Sequence, residues 1–506
     1  MNIAPAARAL CVLALCCIAT ACGDDSASLS EDAFPYPNNN NNGSYDRSGA
    51  PPVEELNNEG FEEIIENDFI ETATEAISTF SIDVDNASYT LARGILKNGS
   101  LPDPSSVRVE DFINYFRYNY PEPTGEHPFS IMMEVAPSPF GEGKHLMRVG
   151  LQGKRISIEE MKPTSLVFLI DVSGSMQGGK LLMVKSALNE LVENMRPSDK
   201  IGIVIYAGAD GVVLPMAQAR DKARIKAAIN SLGSGGGTNA EAGIVKAYEM
   251  LEQAKQEGGN NRVIILTDGD FNVGRSGQEL VELVASYREE ELSLTCVGVG
   301  LGNYNDYQME YLALQGNGNY FYLDTMEEAQ RIFGAELPST IEVIAADVKV
   351  QVEMNPAAVA RYRLVGYDNR VLANEDFDDD TKDAGELGPG HDVTALYELE
   401  LLPGAAGEAV LSEVRLRYKS QYGDASVELE QPIKRSQVRP EINMASADLR
   451  FAAAVAEFAE ILRGSKHSEG ARFDEVRDMA RAASDPLDGE RAELVRLVEI
   501  ARDLKK

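Results

Sequence analysis

Histidine, cysteine and positive charge are all scarce in this chain. Its 506 residues include 4 His (His127, His145, His391 and His467). No two of them stand at the short spacing of an HExxH-type zinc site. Of 5 Cys, Cys11, Cys16, Cys17 and Cys22 fall at the N-terminus, which leaves Cys296 alone in the body of the chain. One thiol builds neither a disulfide framework nor a thiolate zinc site. Cys296 lies in the apolar run LTCVGV, which predicts a buried strand thiol rather than a nucleophile. Lys and Arg number 47 against 81 Asp and Glu, for a formal net charge of −34. Such a balance argues against nucleic acid as a partner and against adsorption to anionic lipid by charge. It suits divalent cations and high solubility. Long apolar runs are missing too: no segment reaches the roughly 20 residues that span a bilayer.

The N-terminus reads as an address. Residues 1–21 carry one charged side chain, Arg8, followed by ALCVLALCCIATA, the pattern of an export signal. The stretch ends Ala19-Thr20-Ala21-Cys22. It resembles the lipobox of bacterial lipoproteins, in which that Cys is acylated. The resemblance implies a lipid on Cys22 and a protein exported to the bacterial cell envelope and anchored to a membrane. Ala19 departs from the pattern, where a large aliphatic residue is usual, so plain cleavage after Ala21 is the rival reading. Residues 23–52 lack apolar periodicity and are rich in Asn, Ser, Pro and Asp. They predict a disordered tether over 22–58.

Residues 59–162 read as a mixed α/β segment. FEEIIENDFIETATEAI has helical spacing, and STFSIDVDNASYTLARGILKNG reads as a short strand and a helix ending at Gly99. FSIMMEVAPSPF and HLMRVGLQGK read as strands bounded by Pro and Gly. From 163 to 340 the pattern is regular. The runs LVFLI (166–170), IGIVIY (201–206), VIIL (263–266) and LTCVGV (294–299) alternate with amphipathic helical segments. Continuous apolar runs mark strands buried on both faces of a parallel sheet. The alternation predicts a doubly wound α/β sheet, whose ligands bind at the carboxyl ends of strands. Residues 341–435 return to β alternation, and these strands are expected to share one sandwich-like frame with those at 128–152. Residues 436–506 read as a small helical C-terminal region. Within the β region, NEDFDDDTKDAGELGPG (374–390) is an acidic loop. A solvated charge run is the plain reading, and an internal occupant of a metal site the sharper one.

Three clusters of oxygen donors fall at the strand ends. Asp171, Ser173 and Ser175 lie in DVSGSM, and alternate residues there project to one side. Thr238 lies in GSGGGTNAEAG (233–243), and Asp268 follows the third long apolar run in LTDGD. Carboxylates and hydroxyls without His or Cys suit Mg²⁺, Mn²⁺ or Ca²⁺. The DxSxS, the Thr of GTN and the TDG, in that order, resemble the metal-ion-dependent adhesion site (MIDAS) of the von Willebrand factor A (vWA) domain. The match covers about 163–340, and the flanks look like those of bacterial vWA lipoproteins. The resemblance implies that Asp171, Ser173, Ser175, Thr238 and Asp268 are metal ligands, some of them through water, with Mg²⁺ the foremost cation. It also implies a protein partner that supplies a carboxylate to the metal.

The expected function is a cell-envelope lipoprotein that mediates protein–protein interaction or adhesion through a divalent cation, not an enzyme. An envelope assembly or scaffold factor with a structural metal is the alternative. A metal-assisted hydrolase is a remote third, because no general base is evident. Ser173 stands where a DxDxT phosphotransferase would need a second carboxylate. GSGGGTN lacks the P-loop lysine. GVGLGN (298–303) has Asn303 in place of the third Gly of a dinucleotide fingerprint and reads as a tight turn. Neither Ser173 nor Ser175 sits in a GxSxG elbow.

Overall fold

The structure is a computed structural model that describes residues 64–206, 211–235, 240–269, 277–300, 306–404, 407–468 and 472–505. The export signal, Cys22 and the tether lie outside the described residues. The chain starts with β1 (Ile70–Glu71), β2 (Ile77–Ser81), α1 (Ala87–Lys97), α2 (Val109–Tyr115), β3 (Phe129–Pro137) and β4 (His145–Gly153). An α/β segment follows, with β5 (Thr164–Asp171), α3 (Gly179–Asn194), β6 (Lys200–Tyr206), β7 (Gly211–Gln218), α4 (Lys222–Ser231) and α5 (Ala240–Glu252). It continues through β8 (Asn260–Thr267), α6 (Gly277–Arg288), β9 (Ser293–Val299), α7 (Asp306–Gln315), β10 (Tyr320–Leu323), α8 (Met326–Gln330) and α9 (Leu337–Ile341). Then come β11 (Ala345–Met354), β12 (Val359–Val365), β13 (Val371–Leu372), β14 (Gly385–Leu387), β15 (Asp392–Leu401), β16 (Val410–Lys419) and β17 (Val427–Lys434). Helices α10 (Ala447–Arg463), α11 (Phe473–Ala482) and α12 (Gly489–Leu504) end it.

The α/β segment forms one sheet in the order β10-β9-β8-β5-β6-β7. All its pairings are parallel except β6 with β7. Every residue of β5 is buried. Leu166, Phe168 and Ile170 pack on the face covered by α3 and α4, while Val167 and Leu169 pack on the face covered by α5, α6 and α7. A strand sandwiched in this way must be apolar at every position, which is why its sequence is continuous. The antiparallel edge strand β7 is only part-buried and contains Pro215, which an edge tolerates because it need not donate to a neighbour.

Two antiparallel sheets form the frame: β1-β12-β15-β4-β3 and β13-β2-β11-β16-β17, with β14 on β11. Val149 and Tyr397 from one and Phe80 and Val350 from the other meet in a single core. Strands from both sides of the α/β segment therefore interleave, and that segment is an insertion between β4 and β11. Its two ends are clasped together. Glu342, just past α9, accepts hydrogen bonds from the Lys162 backbone N–H (2.8 Å) and from Asn260 Nδ2 (2.9 Å), and it pairs with the Lys162 ammonium (3.4 Å).

The stretch before β2 departs from its helical expectation. Across the described part, 64–77, the chain runs extended, pairs briefly as β1 with β12, and turns at 72–74. The Phe69 ring lies beneath the cationic heads of Lys144, Arg361 and Arg363. Those contacts with the β4 side and with β12 outweigh a weak local preference. The N-terminal region divides further. Helix α1 turns Ala87, Leu91 and Ile95 into the α/β core and Tyr89, Ala92 and Leu96 into the helical core. In α2 and just beyond it, Phe112 and Phe116 stack edge-on against Phe458 and Phe451 of α10. No helix among the described residues is long and apolar enough to cross a membrane.

Candidate functional site

Strand β5 has β6 on one side and β8 on the other. The chain runs from β5 to β6 and later returns across β5 to reach β8. The strand order thus reverses at the carboxyl ends of β5 and β8, where doubly wound sheets bind ligands. Asp171 is the last residue of β5, and Asp268 stands one past the end of β8. Ser173 and Ser175 lie in the short 3-10 turn that leads from β5 to α3.

Asp171 is fully buried and held on both oxygens. Oδ1 accepts the Ser173 backbone N–H at 2.8 Å. Oδ2 accepts the hydroxyls of Thr267 at 3.0 Å and Tyr206 at 3.3 Å. Burial pushes its pKa up, the Ser173 and Thr267 hydrogen bonds oppose that, and the nearby charge of Asp268 adds to it. The hydroxyls of Ser173 and Ser175 approach to 2.9 Å. Thr267 also accepts the Gly269 backbone N–H at 3.2 Å, so one hydroxyl links both strand ends. The Gly235 backbone N–H bonds the Val172 carbonyl at 2.7 Å, which brings the loop leading to Thr238 to the same edge. Thr238 itself lies outside the described residues.

Asp268 is 2% exposed. Its Oδ2 takes the Lys180 ammonium at 2.8 Å, and its Oδ1 is buried without a hydrogen-bond partner among the described residues. A buried carboxylate oxygen with unspent acceptor capacity is costly unless something binds it. Two carboxylates and two serine hydroxyls at one edge suit a hard cation. The donor set therefore fits a divalent ion, which Asp171, Ser173, Ser175 and Asp268 would hold among the described residues.

Sequence reasoning passed over three residues here. Tyr206 and Thr267 lock Asp171; Tyr206 ends an ordinary strand run, and Thr267 stands in the TDG motif, of which the resemblance assigns only the Asp. Lys180 opens the amphipathic stripe of α3, and its signal was a lone Lys five residues after Ser175. The acidic loop does not reach this edge, so its reading as an internal occupant is corrected. Asp383 pairs with Arg288 at the carboxyl end of α6, and Asp378 and Asp380 pair with Arg417 of β16. The chain leaves Arg288 to start β9, which places the loop at the opposite edge of the sheet. Cys296 is fully buried, and burial raises its thiol pKa.

Comparison with known proteins follows the same divisions. The model of the von Willebrand factor type A domain matches residues 165–335. A von Willebrand factor model matches 55–148, and the model for the C-terminal part of the uncharacterized protein YfbK matches 339–504. YfbK of Escherichia coli (strain K12) is 38% identical over 469 residues, covering 87% of this chain and 80% of that protein. The chain belongs to the YfbK family of vWA-domain proteins. The family assignment takes in the frame and the helices as well as the α/β segment. A shorter stretch of the chain extends the likeness further. Inter-alpha-trypsin inhibitor heavy chain H3 of Homo sapiens is 32% identical over 165 residues, 31% of this chain and 18% of that protein. A solved von Willebrand factor type A structure from Catenulispora acidiphila aligns over 76% of this chain and 92% of its own, with 17% identity and a TM-score of 0.47.

Proposed function

We propose that this vWA protein is an exported, lipid-anchored binding protein of the bacterial cell envelope, which captures a protein partner through a divalent cation. The observation that carries this reading is the pre-assembled edge. Asp171 is fixed by Ser173, Thr267 and Tyr206 before any ion arrives, while Asp268 Oδ1 has no partner among the described residues. Asp171 and Asp268 supply charge, Ser173 and Ser175 supply neutral oxygens, and Thr238 completes the set by its place in the sequence motif. Mg²⁺, or Mn²⁺ or Ca²⁺ in its place, would supply Lewis acidity toward one further oxygen ligand. A partner Asp or Glu carboxylate has the matching charge and hardness.

Titration calorimetry on the full chain tests the site. Asp171→Ala removes one of the two carboxylates and should abolish Mg²⁺ and Mn²⁺ binding, with a fall in Tm because the buried Ser173, Thr267 and Tyr206 donors lose their acceptor. Unchanged metal affinity in the variant would refute the assignment. A pull-down from envelope extract, with and without chelator, should lose the partner when the metal is removed. For the anchor, a fatty-acid analogue should label the wild type and spare Cys22→Ser, and equal labelling would sink that part of the reading.

A further inference from the structure

The metal reading calls for anionic and neutral oxygens, yet an ammonium stands among them. Lys180 Nζ lies 2.8 Å from Asp268 Oδ2, with side chains 16% and 3% exposed. The placement is built in. Lys180 sits in the first turn of α3, directly after the DxSxS turn. Its stem runs over Gly300, just past the end of β9, where an added Cβ would come within 2.7 Å of Lys180 Cγ and Cε. Gly300 has φ +77°, a conformation that glycine adopts freely. The end of β9 thus forms a trough without a side chain, and the trough delivers the ammonium to Asp268.

We infer that Lys180 is an internal counter-ion of the metal centre: it balances Asp268 while no cation is bound, and it sets the charge that the loaded centre presents to a partner. The inference rests on the metal reading above. Among the described residues, Asp171, Asp268 and Lys180 sum to one negative charge. A divalent cation turns that into one positive charge, which attracts a carboxylate. Without Lys180 the same cation would leave the centre neutral. The lysine therefore weakens metal binding and strengthens the pull on an anionic ligand. It also keeps a buried carboxylate from standing alone in the metal-free protein, which is the costly state of a broken buried pair.

Mn²⁺ is the probe, titrated into the full chain by calorimetry and followed in parallel by thermal melting. Lys180→Met should bind Mn²⁺ roughly ten- to a hundredfold more tightly, the effect of removing one like charge a few ångströms from the ion in a partly buried site. Its metal-free Tm should fall below that of the wild type, and Mn²⁺ should raise it by more. Lys180→Arg, which restores the charge, should return affinity and Tm toward wild type. Lys180→Gln covers the case in which the Met variant does not fold, and it carries the same expectation. If the wild type binds Mn²⁺ in an Asp171-dependent way and neither neutral variant binds more tightly, the inference is overturned while the metal reading stands. A wild type that binds no Mn²⁺ overturns both.

Discussion

Glu457 shows how a single carboxylate stores pH dependence. It lies on α10, and its pKa is pushed up to about 8, first by burial and then by Glu460 and Glu398, against the opposing charges of Arg363 and Lys144. The folded state holds a proton that the unfolded chain gives up near 4.5. Its contribution to stability is therefore complete below about 4.5 and is lost as pH rises toward about 8. Glu457→Gln cannot ionise, so it should flatten the stability curve across that window. Urea unfolding should show the variant's advantage over the wild type growing by about 3–4 kcal/mol between pH 5 and pH 8. An equal difference at both values would mean that the proton is not involved. Asp171 shows the opposite economy: it is buried more deeply than the part-exposed Glu457, but three hydrogen-bond donors hold both of its oxygens.

Helix α1 is the element that joins two cores. Leu91 points into the α/β core, and its neighbours Tyr89 and Ala92 point into the helical one. From the same helix Arg93 reaches Asp324 and Glu328 of the insertion, Glu493 of α12, and the Tyr115 hydroxyl. Leu91→Ala should cost about 2–5 kcal/mol, the range for a buried leucine whose surroundings cannot collapse. Calorimetry should show the whole chain melting earlier rather than one part alone. Elements of this kind mark how far the sequence could be read. Strands β5, β6, β8 and β9 were legible because burial on both faces leaves a continuous apolar run. Strand β7 was not, since it is half-exposed and broken by Pro215, and β10 is only four residues long. The helical spacing before β2 misled because it belongs to an extended segment fixed by cations around Phe69. At the candidate site the placing of Asp171, Ser173, Ser175 and Asp268 at strand ends was legible from their short motifs, while Thr238 lies outside the described residues. Lys180 was hidden because a lysine early in an amphipathic helix looks like any solvated one, and only the trough at Gly300 distinguishes it.

At the scale of the molecule, the sandwich is the host and the α/β segment the guest. The core of Phe80, Val149, Val350 and Tyr397 uses no residue of the insertion. Replacing 163–341 by a short linker should therefore leave a folded β frame with a strand-type circular dichroism spectrum. That frame would expose Ala87, Leu91 and Ile95 of α1, so it should also bind a hydrophobic dye that the whole chain does not. An unfolded product would show that the guest is needed to close the host. The Glu342 clasp bears on the order of events during biosynthesis. A chain that emerges from its N-terminus, from a ribosome or a translocation channel, presents the β3–β4 hairpin long before β15, the strand that pairs with β4. At about 5–20 residues per second, that hairpin waits for tens of seconds. Meanwhile the guest can fold on its own nearest strands, and its completion draws Lys162 and Glu342 together. A loop of roughly 180 residues then becomes a link of roughly ten, about four halvings of length, which lowers the entropic cost of closing the sandwich by about 2.5 kcal/mol. The inserted domain would thus act as a folding clamp for its own host, and weakening the clasp with Glu342→Gln should slow the refolding of the frame.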